Sequence, residues 1–282
     1  MHLFTRKVLK FGLIQQISKR NYSAAGTLIN VTKNDATNTS ILSLARPPVN
    51  GLNLELLTDF NDSLNKIVKD GSKGVIITSS LPTIFSGGLD IMEMYKPDMK
   101  RARQFWEQLQ ETWFTLYSLS IPTAAAINGS SPAGGCLTAM SCEYRVFVDG
   151  KHAIGLNETK LGIVAPSWFR EIYISTIGYR QAELALLQGT LFLPKQALEI
   201  GLVDELAADK DEAISKCQKY IDSYARIPAV GRYATKMDFR SELIERLKKN
   251  READTSRFLN FISQPKVQIA LEAYIKSLKE KK

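Results

Sequence analysis

Histidine and cysteine are scarce in this chain of 282 residues: His2 and His152, and Cys136, Cys142 and Cys217. An odd cysteine count without a CxxC pair argues against a disulfide framework and against a structural zinc site. A histidine triad or metal cluster would have to rest on His152 alone once an N-terminal segment carrying His2 is removed, which sets aside many hydrolase and metalloenzyme chemistries. Neither a GxGxxG fingerprint nor a GxSxG elbow occurs. Gly129 and Gly134 have P-loop spacing, but Gly135-Cys136 stands where Gly-Lys is required. No apolar run approaches the ~20 residues that span a bilayer. No acidic residue occurs before Asp35.

Hydrophobic content of 44% and charged content of 23% are ordinary for a folded domain with a sizeable core. The net charge of +8 is concentrated at one end. Arg6, Lys7, Lys10, Lys19 and Arg20 account for five of those charges, which leaves +3 for the rest. Leu3, Phe4, Val8, Leu9, Phe11, Leu13, Ile14 and Ile17 are interleaved with them. A basic, acid-free, amphipathic segment has the composition of a mitochondrial presequence. Residues 1–22 are therefore expected to direct import to the matrix, with processing at Arg20-Asn21-Tyr22-Ser23. The low remaining charge argues against a nucleic-acid partner.

Hydrophobic periodicity predicts strands at 28–32, 41–44, 75–79, 123–127, 144–148 and 153–156. It predicts helices at 53–70, 98–118 and 134–142 between them. This strand–helix rhythm implies an α/β layer fold. Beyond Pro166 the pattern is mainly helical: 166–176, 180–188, 194–200, 209–225, one long helix over 239–262, and 266–279 with Val267, Ala270, Leu271, Tyr274 and Leu278 on one face.

The segment from Ile127 to Pro166 carries the chemistry. An apolar strand ends in a turn of small residues, and Gly134-Gly135 opens an apolar helix. Backbone N–H groups at a helix start attract negative charge. Glu158 follows as a lone carboxylate among small and apolar residues, where its pKa rises and it can take and return a proton. An anion site beside a proton shuttle suits carbonyl-enolate chemistry. Taken singly, the motifs have plainer readings. Gly87-Gly88 is a turn, Gly134-Gly135 a helix-packing device, Asp90 a loop or cap residue, and Cys136 a small core residue. Glu143 reads as a surface or packing residue. The basic run Arg240–Arg251 is a solvated face or a contact for phosphate groups.

In combination, FSGGLDI (85–91), IPTAAAINGSSPAGGCLTAMSCEYRV (121–146), GLNETKLGIVAP (155–166), TIGYRQAELALLQG (176–189) and ALEIGLVDEL (197–206) resemble the crotonase, or enoyl-CoA hydratase/isomerase, superfamily. The resemblance runs from about Thr27 to the C-terminus. It implies a crotonase-like α/β core of repeated ββα turns over 23–206 and a helical C-terminal region, 207–282, used in a homotrimer. It implies that the N–H groups of Gly87 and Gly134 hold the thioester oxygen. Gly87, Gly88, Leu89, Asp90 and Ile91 would line the acyl-CoA path, with Asn157 beside the substrate and Glu158 as catalytic base and acid. Hydratases of the superfamily carry a second glutamate where this chain has Leu137. Water addition needs two carboxylates, whereas moving a double bond needs one. The implied reaction is therefore the shift of cis- or trans-3-enoyl-CoA to trans-2-enoyl-CoA in β-oxidation. No metal or redox cofactor is implied, since CoA arrives with the substrate, and no integral membrane association is expected. The alternatives are a hydratase or other acyl-CoA enzyme of the superfamily, or an inactive acyl-CoA- or RNA-binding member.

Overall fold

A computed structural model of the chain describes residues 19–21 and 28–280. The expected presequence lies outside these residues except for β1 (Lys19–Asn21), which pairs antiparallel with β2 (Ile29–Asn34). β2 forms a hairpin with β3 (Thr39–Leu44), Ile29 opposite Leu44. Asn53 then starts α1 (Leu54–Lys69), its side chain accepting the Leu56 N–H at 3.0 Å. Leu56, Leu57, Phe60, Leu64 and Ile67 form the buried stripe of this helix. Next come β4 (Gly74–Ser79), α2 (Met99–Tyr117) with Asp98 as its cap, β5 (Thr123–Ile127), β6 (Ser131–Pro132), α3 (Gly134–Ser141), β7 (Tyr144–Val148) and β8 (Ile154–Gly155).

The main sheet runs in the order β1-β2-β3-β4-β5-β7 and ends on a strand that periodicity did not show, β9 (Glu205–Ala207). From β3 onward its strands are parallel. After each core strand the chain makes a second, very short pairing with the next turn: Leu52 with Leu89, Ile84 with Ser130, and β6 with β8. This is the expected ββα repetition, and these second pairings build the site.

Alternation along the strands divides the core. Val75, Ile77, Ala125, Ile127 and Phe147 face the cluster formed with α1, α2 and α3. Ile76, Ala124, Ala126, Val146 and Val148 face Ala213, Cys217 and Ile221 of a later helix. The helices in between are α4 (Ser167–Ile177), α5 (Tyr179–Gln188) and α6 (Pro194–Glu199), and the covering helix is α7 (Lys210–Asp222). The boundary expected at residue 206 thus falls inside β9, and α7 beyond it still belongs to the sandwich around the sheet.

The long helix expected over 239–262 is two helices, α8 (Ala229–Lys249) and α9 (Arg251–Ile262), divided at Asn250. The break redirects α9 onto α2. There the Trp106 Nε1–H and Gln110 Nε2–H each donate to buried Asp254 at 2.8 Å, and Phe258 stacks on Trp106 at 3.9 Å. The final helix, α10 (Pro265–Glu280), is anchored by Gln268, which accepts the Lys96 N–H and donates to Met94 O, both at 2.8 Å. Among the described residues no helix is long and apolar enough to cross a membrane.

Candidate active site

The short second pairings, the start of α3, the turn after β8 and the inner face of α10 enclose a cavity of about 60 Å³. It is lined by Leu89, Ile91, Met94, Ala133, Glu158 and Tyr274, with Gly87, Pro132, Asn157, Leu161, Ile163 and Leu271. Glu158 is the only carboxylate among them. It opens a 3₁₀ turn, Glu158–Leu161, which Gly162 ends in the left-handed conformation. Glu158 is 5% exposed. Its Oε2 and the neighbouring Asn157 Oδ1 are buried acceptors with no hydrogen bond. Burial pushes the Glu158 carboxyl up to about 7, opposed only by a hydrogen bond from its own backbone. At that pKa a carboxylate both accepts and returns protons near neutrality.

The anion-holding part differs from expectation at one position. The Gly87 N–H donates to Val49 O at 2.7 Å and is therefore engaged within the fold. Two residues on, pairing with Leu52 uses the Gly88 carbonyl and the Asp90 N–H, at 2.8 and 3.0 Å, and leaves the Leu89 N–H without a partner among the described residues. The Gly134 N–H, at the first position of α3, is also unpaired, as helix starts require. The two groups are close neighbours: a Cβ added to Gly134 would stand 3.1 Å from Leu89 N. Glycine at 134 thus leaves free the space beside Leu89 N that a Cβ would fill. Ala133, immediately before, is held at φ 49°, ψ −118°, a costly conformation for a non-glycine residue and one that concentrates at functional sites. Among the described residues the Leu89 and Gly134 N–H groups are thus free, while the Gly87 N–H is engaged within the loop.

Of the other expected site residues, Ile91 and Asn157 line the cavity. Gly88, at φ 90°, has little room for a side chain, since an added Cβ would stand 3.0 Å from Pro132 O and 3.3 Å from Gly134 N. The Asp90 side chain is turned away, paired with Arg46 at 2.8 Å and capping the Met92 N–H at 3.0 Å. Leu137 is buried on α3 outside the lining. Glu143 is a half-buried ion-pair centre, 2.7 Å from Arg232 and 2.8 Å from Lys236. Arg240 is no solvated residue: it donates to Tyr117 O and Ser141 O and lies over the Tyr117 ring. Met94, Leu161, Ile163, Leu271 and Tyr274 were not anticipated in the site. The apolar stripe of α10 was visible in the sequence, but not the cavity it covers.

A buried carboxyl poised near neutrality thus lies in a largely apolar cavity, with the free Leu89 and Gly134 N–H groups close to one another beside it; such a set suits moving a proton next to a carbonyl. Residues 36–281 match the family model described as enoyl-CoA hydratase/isomerase. The chain belongs to the enoyl-CoA hydratase/isomerase family. It is 46% identical to the mouse protein "Enoyl-CoA delta isomerase 1, mitochondrial" over 245 residues, covering 86% of this chain and 84% of that protein. It is 41% identical to the human protein of the same name, covering 86% and 81%. The crystal structure of human mitochondrial delta3-delta2-enoyl-CoA isomerase superposes with a TM-score of 0.88 at 40% identity, covering 91% of this chain and all of that one. An enoyl-CoA hydratase from Bacillus halodurans, at 23% identity and TM-score 0.79, shares the fold.

Proposed function

We propose that this protein is an isomerase that moves the double bond of cis- or trans-3-enoyl-CoA to give trans-2-enoyl-CoA in fatty acid β-oxidation. The observation that carries the reading is the single carboxylate in the cavity lining, Glu158. The names of the mouse and human relatives support it. The ionised Glu158 takes a proton from C2. Negative charge moves onto the thioester oxygen, where the Leu89 and Gly134 N–H groups hold it, each worth about 3–4 kcal/mol in the transition state. The field of α3 adds to this at its first turn. Protonated Glu158 then delivers the proton to C4 on the same face. The step is a proton transfer and calls for no redox group or metal.

Leu137 stands where hydratases carry their second glutamate, and no other carboxylate of the lining could orient a water. Leu271 and Tyr274 of α10, with Leu161 and Ile163, favour proton return over hydration by keeping the site apolar. The basic N-terminal segment and the mitochondrial relatives support action in the matrix. Exposed Tyr179 and Leu187 on α5, and Val230 and Phe239 on α8, support assembly as a homotrimer. The direct test is ultraviolet absorbance with 3-hexenoyl-CoA: a rising conjugated-thioester band is expected, and its absence with folded protein overturns the reading.

A further inference from the structure

The Leu89 N–H sits on a loop, 85–91, without helix or long strand to hold it, yet an oxyanion hole works only if its donors are fixed in advance. One side chain lies behind that loop. Asn50 is fully buried and held in the left-handed region at φ 49°. Every polar atom it has is used. Its Oδ1 accepts the Arg46 N–H at 2.8 Å, and its own N–H returns a bond to Arg46 O at 2.7 Å. Its Nδ2 donates to Ser79 Oγ at 2.7 Å, at the end of β4, and to Phe85 O at 3.0 Å. Its carbonyl accepts from Ser86 Oγ at 2.8 Å, and that oxygen in turn accepts the Gly88 N–H at 3.2 Å. The adjoining Val49 carbonyl takes the Gly87 N–H. Residues 85 to 87 are thus tied directly to Asn50 or Val49, Gly88 is tied to Asn50 through the Ser86 hydroxyl, and the next residue is Leu89.

We propose that Asn50 is a positioning residue for the oxyanion hole, its amide and carbonyl fixing the loop so that the Leu89 N–H points at the substrate thioester oxygen. This rests on the reading of Leu89 and Gly134 as the donor pair. The amide is chemically required because it must accept from Arg46 N and donate to Phe85 O at once. A carboxylate of the same shape accepts in both places and repels the Phe85 carbonyl. Glycine tolerates the backbone but leaves both partners unmet.

The test uses full-length protein, Asn50→Gly and Asn50→Asp variants, and Ser86→Ala, which removes a single hydroxyl. The readouts are kcat and KM separately, and the infrared carbonyl band of bound 2-enoyl-CoA, which shifts to lower frequency when both donors engage. Folded Asn50→Gly or Asn50→Asp is expected to lose ~10²-fold in kcat, the scale of one lost donor, with KM changed less than about threefold and with a reduced carbonyl shift. Ser86→Ala is expected to show the same loss in weaker form. A wild-type enzyme without a shifted carbonyl band defeats the donor-pair reading itself. A shifted wild-type band left unchanged in a folded Asn50 variant overturns the role of Asn50 alone. If neither Asn50 variant folds, an unchanged band and kcat in Ser86→Ala overturn it as well.

Discussion

Replacing Glu158 by glutamine removes the proton carrier and, with it, a buried ionisation, so activity and stability should move in opposite directions. The Glu158 carboxyl is raised from its ordinary 4.5 to about 7 in the fold, and burial is the cause. Below the lower value both folded and unfolded chains hold the proton, and the site costs nothing. As pH rises towards the upper value, the unfolded chain ionises first and native stability falls. Above it the full cost is present, about 3 kcal/mol from a shift of this size. Glutamine keeps the shape and carries no charge. Glu158→Gln should therefore be more stable than wild type by about 3 kcal/mol near pH 8, roughly 5 °C in Tm for a chain of this length, and no more stable near pH 4. Turnover should fall by ~10²–10⁴, the scale of general acid–base catalysis. Thermal melts at the two pH values, beside the 3-hexenoyl-CoA assay, check both halves. A folded variant that keeps most of its activity, or whose stability gain does not depend on pH, refutes the assignment of Glu158 as a buried proton shuttle whose ionisation costs stability.

For the wild type, kcat/KM should rise as pH increases through about 7, because the ionised form of Glu158 takes the first proton; a flat profile would point to another base. Gly134→Val fills the space 3.1 Å from Leu89 N and should cost ~10²–10³ in kcat with this pH profile unmoved. Gly87→Ala should be mild, under about tenfold, because its N–H stays bonded to Val49 O and its added Cβ meets only Val49 at 3.2–3.3 Å. Leu137→Glu should add some hydration of 2-enoyl-CoA, checked as 3-hydroxyacyl-CoA formation, though the buried charge should lower the melting temperature. Mass spectrometry of protein from its native cells should find a start near Ser23 rather than Met1.

The sequence exposed what depends on local pattern and hid what depends on distant partners. α1 and α2 were legible because their apolar stripes and their caps, Asn53 and Asp98, lie within one stretch of chain. Glu158 was legible because a single carboxylate stands in an otherwise small and apolar segment. On the first loop the N–H that the fold leaves free lies two residues beyond Gly87. Gly87 and Leu89 differ in availability only because Val49 O takes one N–H and pairing with Leu52 leaves the other free, and neither partner shows in the loop's own residues. β9 was missed since three residues give no periodicity, and its place comes from pairing with β7. The break at Asn250 carries no proline or glycine. What redirects the chain is the docking of Asp254 and Phe258 on Trp106. Glu143 and Arg240 read as ordinary surface charges until α8 brings Arg232 and Lys236 to the first and lays the second over Tyr117.

The central claim is that one buried carboxylate carries a proton from C2 to C4. It is tested most directly by following the proton itself. The enzyme is given 3-hexenoyl-CoA carrying two deuteriums at C2, in ordinary water, and the trans-2-hexenoyl-CoA product is examined by NMR and mass spectrometry after a single turnover. Shuttling by Glu158 predicts deuterium at C4 in a measurable share of the product. Complete loss of the abstracted deuterium to solvent, with only protium delivered to C4, would contradict the single-carboxylate account.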